Sequence, residues 1–129
     1  MDAQLDNLKF DANGLVPVIV QDVANGEVLV MAFTNREALE ETIRTGKVHT
    51  YSRSRGRVAL KGESSGHFQH VKEVRTDCDR DAVLIKVEQV GGACHEGYRS
   101  CFFRKYENGA GDWEIVESKV FDPDAVYKK

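Results

Sequence analysis

The chain has 129 residues, of which 41% are hydrophobic and 30% are charged, and its formal net charge is −3. These values are typical of a single globular domain, and they exclude a disordered chain and a protein with a global cationic field for nucleic acid. No apolar run reaches the roughly 20 residues of a membrane span, and the first ten residues lack a secretory pattern. We therefore expect one cytoplasmic domain over residues 1–129.

The first predicted element is a β-hairpin. Leu15–Val20 is rich in branched apolar residues and reads as a strand. Asn25-Gly26 then supplies a turn, because both residues tolerate positive φ, and Glu27–Phe33 returns as the second arm.

A single main helix is predicted next, over about residues 35–46. Thr34 and Glu37 have the spacing of a capping box, in which the Thr34 hydroxyl accepts a hydrogen bond from the Glu37 amide. Apolar residues follow at helical spacing, and Gly46 can end the helix in a left-handed conformation.

The rest of the chain favours strands, which predicts an α+β fold with a mostly antiparallel sheet. A chain of many strands and one helix has few long crossovers, and this favours antiparallel pairing. The predicted strands are Val48–Ser52, Val58–Leu60, Phe68–Val74, Val83–Val90, Cys101–Tyr106 and Trp113–Val116.

An acidic segment precedes one of these strands. Asp77, Asp79 and Asp81 alternate with other residues, so an extended backbone would place them on one face and Cys78 on the other. Clustered carboxylates repel one another unless a cation screens them, and Mg²⁺ prefers such oxygen ligands. A solvated acidic turn is the alternative interpretation.

The three cysteines, Cys78, Cys94 and Cys101, are too few for a disulfide framework and favour a metal site. Thiolates select Zn²⁺ over Mg²⁺, and three protein ligands would leave one position of a catalytic zinc site open. His95 adjoins Cys94 and so fits proton transfer beside the metal better than ligation. The Gly-rich turn 91–97 would let the main chain approach a ligand closely.

A basic and serine-rich stretch suits a small phosphorylated ligand. Planar guanidinium groups make bidentate phosphate contacts, and two glycines allow close approach. A charged, solvated hairpin has the same composition. We expect phosphate contacts from Arg53, Ser54, Arg55 and Lys61, and sugar or base contacts from Glu63, Ser64, Ser65 and Gln69.

Taken together, these segments resemble the phosphoribosyl-AMP cyclohydrolases. The resemblance runs from about Leu8 to Tyr106 and includes the tail from Asp122 to Tyr127. The segments that carry it are Ser52-Arg53-Ser54-Arg55, Lys61-Gly62-Glu63-Ser64-Ser65-Gly66, Asp77-Cys78-Asp79-Arg80-Asp81, Ala93-Cys94-His95 and Ser100-Cys101-Phe102.

The resemblance implies a cytoplasmic homodimer of histidine biosynthesis that opens the adenine ring of phosphoribosyl-AMP between N1 and C6. It implies Zn²⁺ on the three cysteines, with the zinc site assembled from both subunits, and Mg²⁺ on the three aspartates. No fused pyrophosphohydrolase domain is expected.

Three positions depart from the family pattern. Ala59 stands where Trp is usual, His67 where Asn is usual, and Glu96 where Thr is usual. A second hypothesis is a structural zinc module, closed by His95, with a basic stretch that binds a ligand or RNA. A zinc deaminase is disfavoured, because the His-x-Glu and Pro-Cys-x-x-Cys signatures are absent from the sequence.

Overall fold

The computed structural model describes residues 3–109 and 111–127. It contains mostly sheet with one main helix, as the sequence predicts. The strands are β1 (Val16–Asp22), β2 (Val28–Thr34), β3 (His49–Ser52), β4 (Arg57–Leu60), β5 (Gln69–Thr76), β6 (Val83–Gln89), β7 (Arg104–Lys105) and β8 (Glu114–Ile115). The helices are α1 (Arg36–Thr45) and α2 (Pro123–Val126), preceded by a 3₁₀ helix at Ala3–Asn7.

The main sheet has four strands in the order β2-β1-β6-β5. β1 pairs antiparallel with β2, as the predicted hairpin requires, and β5 pairs antiparallel with β6, in keeping with the expected antiparallel sheet. The central pair is different, because β1 and β6 run parallel, with Val18 opposite Val83. Among the described residues this is the one parallel pair, since β3–β4 and β7–β8 are also antiparallel. The turn 77–82 joins β5 to β6, and the loop that carries Cys94 and Cys101 follows β6.

One face of the main sheet forms the hydrophobic core. Alternate residues of β1 (Val16, Val18 and Val20) are at most 1% exposed, because side chains alternate between the two faces of a strand. Leu39 of α1 and Val48 pack against this face. Burial of each such side chain contributes about 1.5–3 kcal/mol. The opposite face is open, and Ile19 and Met31 stay 38% and 48% exposed there.

Helix α1 begins one residue later than the predicted capping box requires. β2 continues through Thr34, which is buried, and its hydroxyl donates to the Asn35 carbonyl oxygen at 3.3 Å. Asn35 is the N-cap, and its side-chain oxygen accepts from the Ala38 amide at 2.8 Å. The predicted role of Thr34 is therefore wrong. The role of Gly46 is confirmed, since its φ is 74° and its amide donates to the Thr42 carbonyl oxygen.

The last two predicted strands are shorter than expected. β7 and β8 contain two residues each, because the ribbon that they form lies on the surface, with Trp113 and Ile115 more than half exposed. A two-stranded ribbon without a buried face is only marginally stable. Across residues 3–109 and 111–127, none of the helices has the length and apolarity to cross a bilayer.

Candidate active site

Cys94 lies in a tight turn that follows β6 and Gly91-Gly92. The Cys94 amide donates to the Tyr98 carbonyl oxygen at 3.1 Å, and the Gly97 amide donates to the Cys94 carbonyl oxygen at 3.1 Å. The Glu96 amide donates to the Cys94 sulfur at 3.5 Å. The turn thus fixes the position of the Cys94 sulfur and points a backbone N–H donor at it. Cys94 is buried, with 4% of its surface exposed.

Cys101 packs beside Cys94, against the stacked rings of Tyr98 and Phe103. Burial and, to a smaller extent, the neighbouring Cys94 raise the pKa of the Cys101 thiol to about 11, although the positive charge of Lys61 opposes the shift. A bound cation would stabilise thiolates at this position. The donor set of this pair therefore suits a soft metal ion such as Zn²⁺.

The third cysteine is not part of this pair. Cys78 is exposed and lies in the turn between β5 and β6. Among the described residues, the three sulfur atoms of Cys78, Cys94 and Cys101 do not all lie within 4.8 Å of one another. A single chain therefore brings together two of the three predicted zinc ligands, which is fewer than a zinc site normally has.

The three aspartates do converge, although not by the predicted route. Residues 77–82 form a turn instead of an extended strand, and Arg80 adopts a left-handed φ of 62°. The prediction from strand alternation is thus wrong. Carboxylate oxygens of Asp77, Asp79 and Asp81 nevertheless lie within 4.8 Å of one another, all exposed, and could hold a metal ion.

Hydrogen bonds inside this acidic turn shift the pKa values of Asp77 and Asp81 in opposite directions. An Asp77 oxygen accepts from the Asp81 amide at 3.0 Å and the Ala82 amide at 3.3 Å. Partial burial acts to raise the pKa of Asp77, but hydrogen bonds from Asp81 and these amides lower it overall. Hydrogen bonds to Asp77 and Asp79 raise the pKa of Asp81. Such crowding is relieved by a cation.

A cavity of about 180 Å³ lies over the strand pair β3–β4. Five of the predicted substrate residues line it: Arg55, Lys61, Glu63, Ser64 and Ser65. The other lining residues are Thr50, Ala59, Leu60, Gly62 and Tyr127. Residues 61–66 form the loop that borders the cavity, called the cavity loop below. Gly62 has a φ of 94°, and a Cβ there would lie 2.8 Å from the backbone of His67, so this loop requires glycine at position 62.

The other three predicted substrate residues lie outside this cavity. Arg53 places its guanidinium 4.1 Å from the ring centre of Phe33 and lines a separate depression. Ser54 makes a 3.3 Å hydrogen bond with Ser52 through the two hydroxyl groups. Gln69 is fully buried and donates to the side-chain oxygen of Gln89 at 2.8 Å, so it does not reach the cavity in this structure.

His95 directly follows Cys94 and is exposed at the tip of the turn. Its predicted role in proton transfer stays a prediction.

Sequence reasoning missed Arg99 and Ser100. They hold in place the loop 91–101, which carries Cys94 and Cys101 and is called the thiol-bearing loop below. Arg99 donates to the carboxylates of Asp22 and Glu27, and the Ser100 hydroxyl donates to the Val28 carbonyl oxygen at 2.7 Å. Asp22 ends β1 on the face that valines otherwise occupy. A charged residue at such a position indicates an ion-pair partner elsewhere in the chain, and this was the signal for the network in the sequence.

The fold and the site together are those of a small α+β protein with a cavity lined by basic and hydroxyl groups, a pair of neighbouring thiols and an exposed carboxylate cluster. The family model for phosphoribosyl-AMP cyclohydrolase matches residues 30–103, which include the cavity loop, the acidic turn and the neighbouring Cys94 and Cys101.

Curated relatives are similar in sequence to this protein over nearly the full chain. The protein named phosphoribosyl-AMP cyclohydrolase in Methanococcoides burtonii is 58% identical over 95% of this chain and 98% of its own length. Those of Burkholderia vietnamiensis and Thiobacillus denitrificans are 56% and 53% identical, over 99% and 100% of this chain and 95% and 100% of their own lengths. The chain belongs to the phosphoribosyl-AMP cyclohydrolase family, which confirms the resemblance seen in the sequence.

Proposed function

We propose that this protein hydrolyses phosphoribosyl-AMP in histidine biosynthesis, opening the adenine ring between N1 and C6. Water adds its oxygen to C6 and the N1–C6 bond breaks, which opens the ring within a single product; one proton of the water goes to N1 and the other to the exocyclic nitrogen. The exocyclic amino group remains as a carboxamide, and N1 leaves as the formimino nitrogen. The family match and the names of the relatives support this reaction.

The observation that carries the proposal is the position of Lys61. Lys61 lines the cavity, and its charge also acts on the thiol of Cys101. A substrate phosphate bound by Arg55 and Lys61 would therefore hold the nucleotide in a cavity whose cationic residue also acts on the thiol pair. Glu63 and Ser64 line the same cavity and provide an acceptor and a donor for sugar hydroxyl groups.

We further propose that Zn²⁺ is held by Cys94 and Cys101 of one chain and Cys78 of a second copy in a homodimer. Three features support this: the adjacency of Cys94 and Cys101, the exposure of Cys78 away from them, and the ligand number that zinc requires. The open apolar face at Ile19 and Met31 offers surface for such a dimer. When bound, zinc supplies Lewis acidity for the activation of water.

In this proposal the protein's own groups position the substrate and move protons. Arg55 and Lys61 bind a phosphate, which fixes the nucleotide relative to the thiol-bearing turn. His95 accepts the proton of the attacking water and returns it to N1 as the C6 bond breaks. Asp77, Asp79 and Asp81 would hold Mg²⁺, which neutralises charge on the substrate and orients it.

The shared zinc site can be tested by mixing inactive variants. A heterodimer of Cys78→Ala and Cys94→Ala contains one site with all three cysteines and one site with only Cys101. Random reassociation of equal amounts should therefore restore about a quarter of wild-type activity, because half the dimers are mixed and each has one of two sites intact. Activity is followed by the ultraviolet change on ring opening, with and without a zinc chelator.

A matched control uses Cys94→Ala mixed with Cys101→Ala. Both residues lie in the same half of the proposed site, so no mixed dimer has an intact set and no activity should return. Recovery in the control, or its absence in the Cys78 mixture, would contradict a site shared in this way. Ring opening by the wild type that survives complete removal of zinc would contradict the zinc hydrolase itself.

A further inference from the structure

We propose that Tyr127 stacks on the adenine base of the substrate and forms one wall of the substrate site, held there by the rest of the C-terminal segment 119–127. This inference rests on the proposal that the cavity beside Lys61 binds the substrate. The family model ends at residue 103, so the segment lies outside the matched region.

Tyr127 is the single aromatic residue among the described residues that line the cavity. The remaining lining residues are charged, hydroxylated, aliphatic or glycine. Cationic and hydroxyl groups suit the phosphates and sugars of the nucleotide, whereas a flat base binds best on an aromatic face. The chemistry of the cavity therefore assigns the base to the side where Tyr127 lies.

The backbone around Tyr127 is held by a short capped helix. Asp122 is the N-cap of α2, and its carboxylate accepts from the Asp124 amide at 3.0 Å. Pro123 begins the helix, where its fixed φ favours helical geometry. The Tyr127 amide donates to the Pro123 carbonyl oxygen at 2.8 Å, so the residue ends an ordered turn.

Phe121 packs this segment against the cavity loop and the thiol-bearing loop. Its ring meets the His67 ring edge-on, with the centres 4.6 Å apart, and His67 directly follows the cavity loop. A Cβ built on Gly92 would lie 2.7 Å from the Phe121 ring, which shows how closely the ring covers the glycines before Cys94. The Val120 amide donates to the Gly97 carbonyl oxygen at 2.8 Å. The segment thus packs on the thiol-bearing turn and presents Tyr127 to the cavity.

The experiment compares steady-state kinetics of Tyr127→Phe, Tyr127→Leu and Tyr127→Ala with phosphoribosyl-AMP. Tyr127→Phe keeps the aromatic face and should leave KM within about twofold of wild type. The Leu and Ala variants lose it, and KM should rise by about 5- to 100-fold with a much smaller change in kcat, the range expected for one lost base stack. Val126→Ala is the matched control, because it alters the same helix without lining the cavity, and its KM should stay unchanged.

A second variant separates failure of this inference from failure of the proposed substrate site. If Arg55→Ala raises KM and Tyr127→Leu does not, the cavity binds substrate but the stacking proposal is overturned. If neither variant changes KM, the cavity itself is not the substrate site. An equal rise in KM for the Phe and Leu variants would also overturn stacking, since it would point to the hydroxyl group.

Discussion

The guanidinium of Arg99 lies between the carboxylates of Asp22 and Glu27 and donates to both. Arg99 belongs to the thiol-bearing loop, whereas its two partners belong to the β1–β2 hairpin. Two residues further on, the Cys101 amide donates to the Leu29 carbonyl oxygen at 2.7 Å on the same hairpin. The position of the Cys101 sulfur is therefore set by the end of the main sheet.

Replacing Arg99 with Ala should destabilise the protein by about 1–3 kcal/mol, because Asp22 would remain buried without its charged partner. Urea unfolding measures this free energy. Arg75→Ala is the control, since it removes an exposed ion pair with Glu73, and such pairs contribute about 0–1 kcal/mol. Equal losses in the two variants would contradict a special role for Arg99.

The same ion pair predicts a dependence of stability on pH. The hydrogen bond from Arg99 lowers the pKa of Asp22 below the usual 3.8, although burial opposes the shift. Because the folded-state pKa is depressed, the stabilisation is complete above the unfolded pKa and is lost as pH falls through the folded one. The stability advantage of wild type over Asp22→Asn should be constant from about pH 7 to pH 5 and shrink below about pH 4. An advantage that grows on acidification would refute this assignment.

Replacing Cys94 with Ala should remove both bound zinc and turnover, whereas His95→Ala should retain zinc and lower kcat. The expected loss for His95→Ala is about 10²- to 10⁴-fold, the usual contribution of a general acid or base. Zinc content is measured on the purified variants by atomic absorption. Loss of zinc from His95→Ala would make His95 a ligand instead of a proton-transfer group.

Replacing Asp79 with Asn should raise the Mg²⁺ concentration needed for half-maximal activity and leave the melting temperature nearly unchanged. Asp79 is exposed, so its contribution is to the cluster with Asp77 and Asp81 and not to the core. Glu73→Gln supplies a control carboxylate on the neighbouring strand β5. An identical Mg²⁺ response in wild type and Asp79→Asn would rule out magnesium binding at this turn.

Local patterns in the sequence predicted the hairpin and the helix, because turn and cap residues act over a few positions. They could not predict that β1 lies beside β6, since parallel pairing joins segments distant in sequence. The glycines at 91 and 92 show the same limit. Their small size suggested a backbone approach to a ligand, but the rings of His67 and Phe121 fill that space.

The site was predicted best where its members are close in sequence. Arg55, Lys61 and Ser64 share one cavity as their common stretch suggested, and the aspartates meet although their backbone turns. Tyr127 was missed as a lining residue because more than sixty positions separate it from the cavity loop. The packing of Phe121 on His67 helps to bring the two regions together.

The parallel pairing of β1 with β6 also orders the events of folding. The β1–β2 hairpin is complete in a nascent chain long before Val83–Gln89 is synthesised, so one edge of β1 must wait for its partner. Contacts between such distant segments slow folding, and an unpaired edge invites association with other chains. Cys94 and Cys101 both follow β6 in the sequence. The loop that bears them can therefore take its final position only as the sheet closes, which makes it one of the last parts of the protein to form.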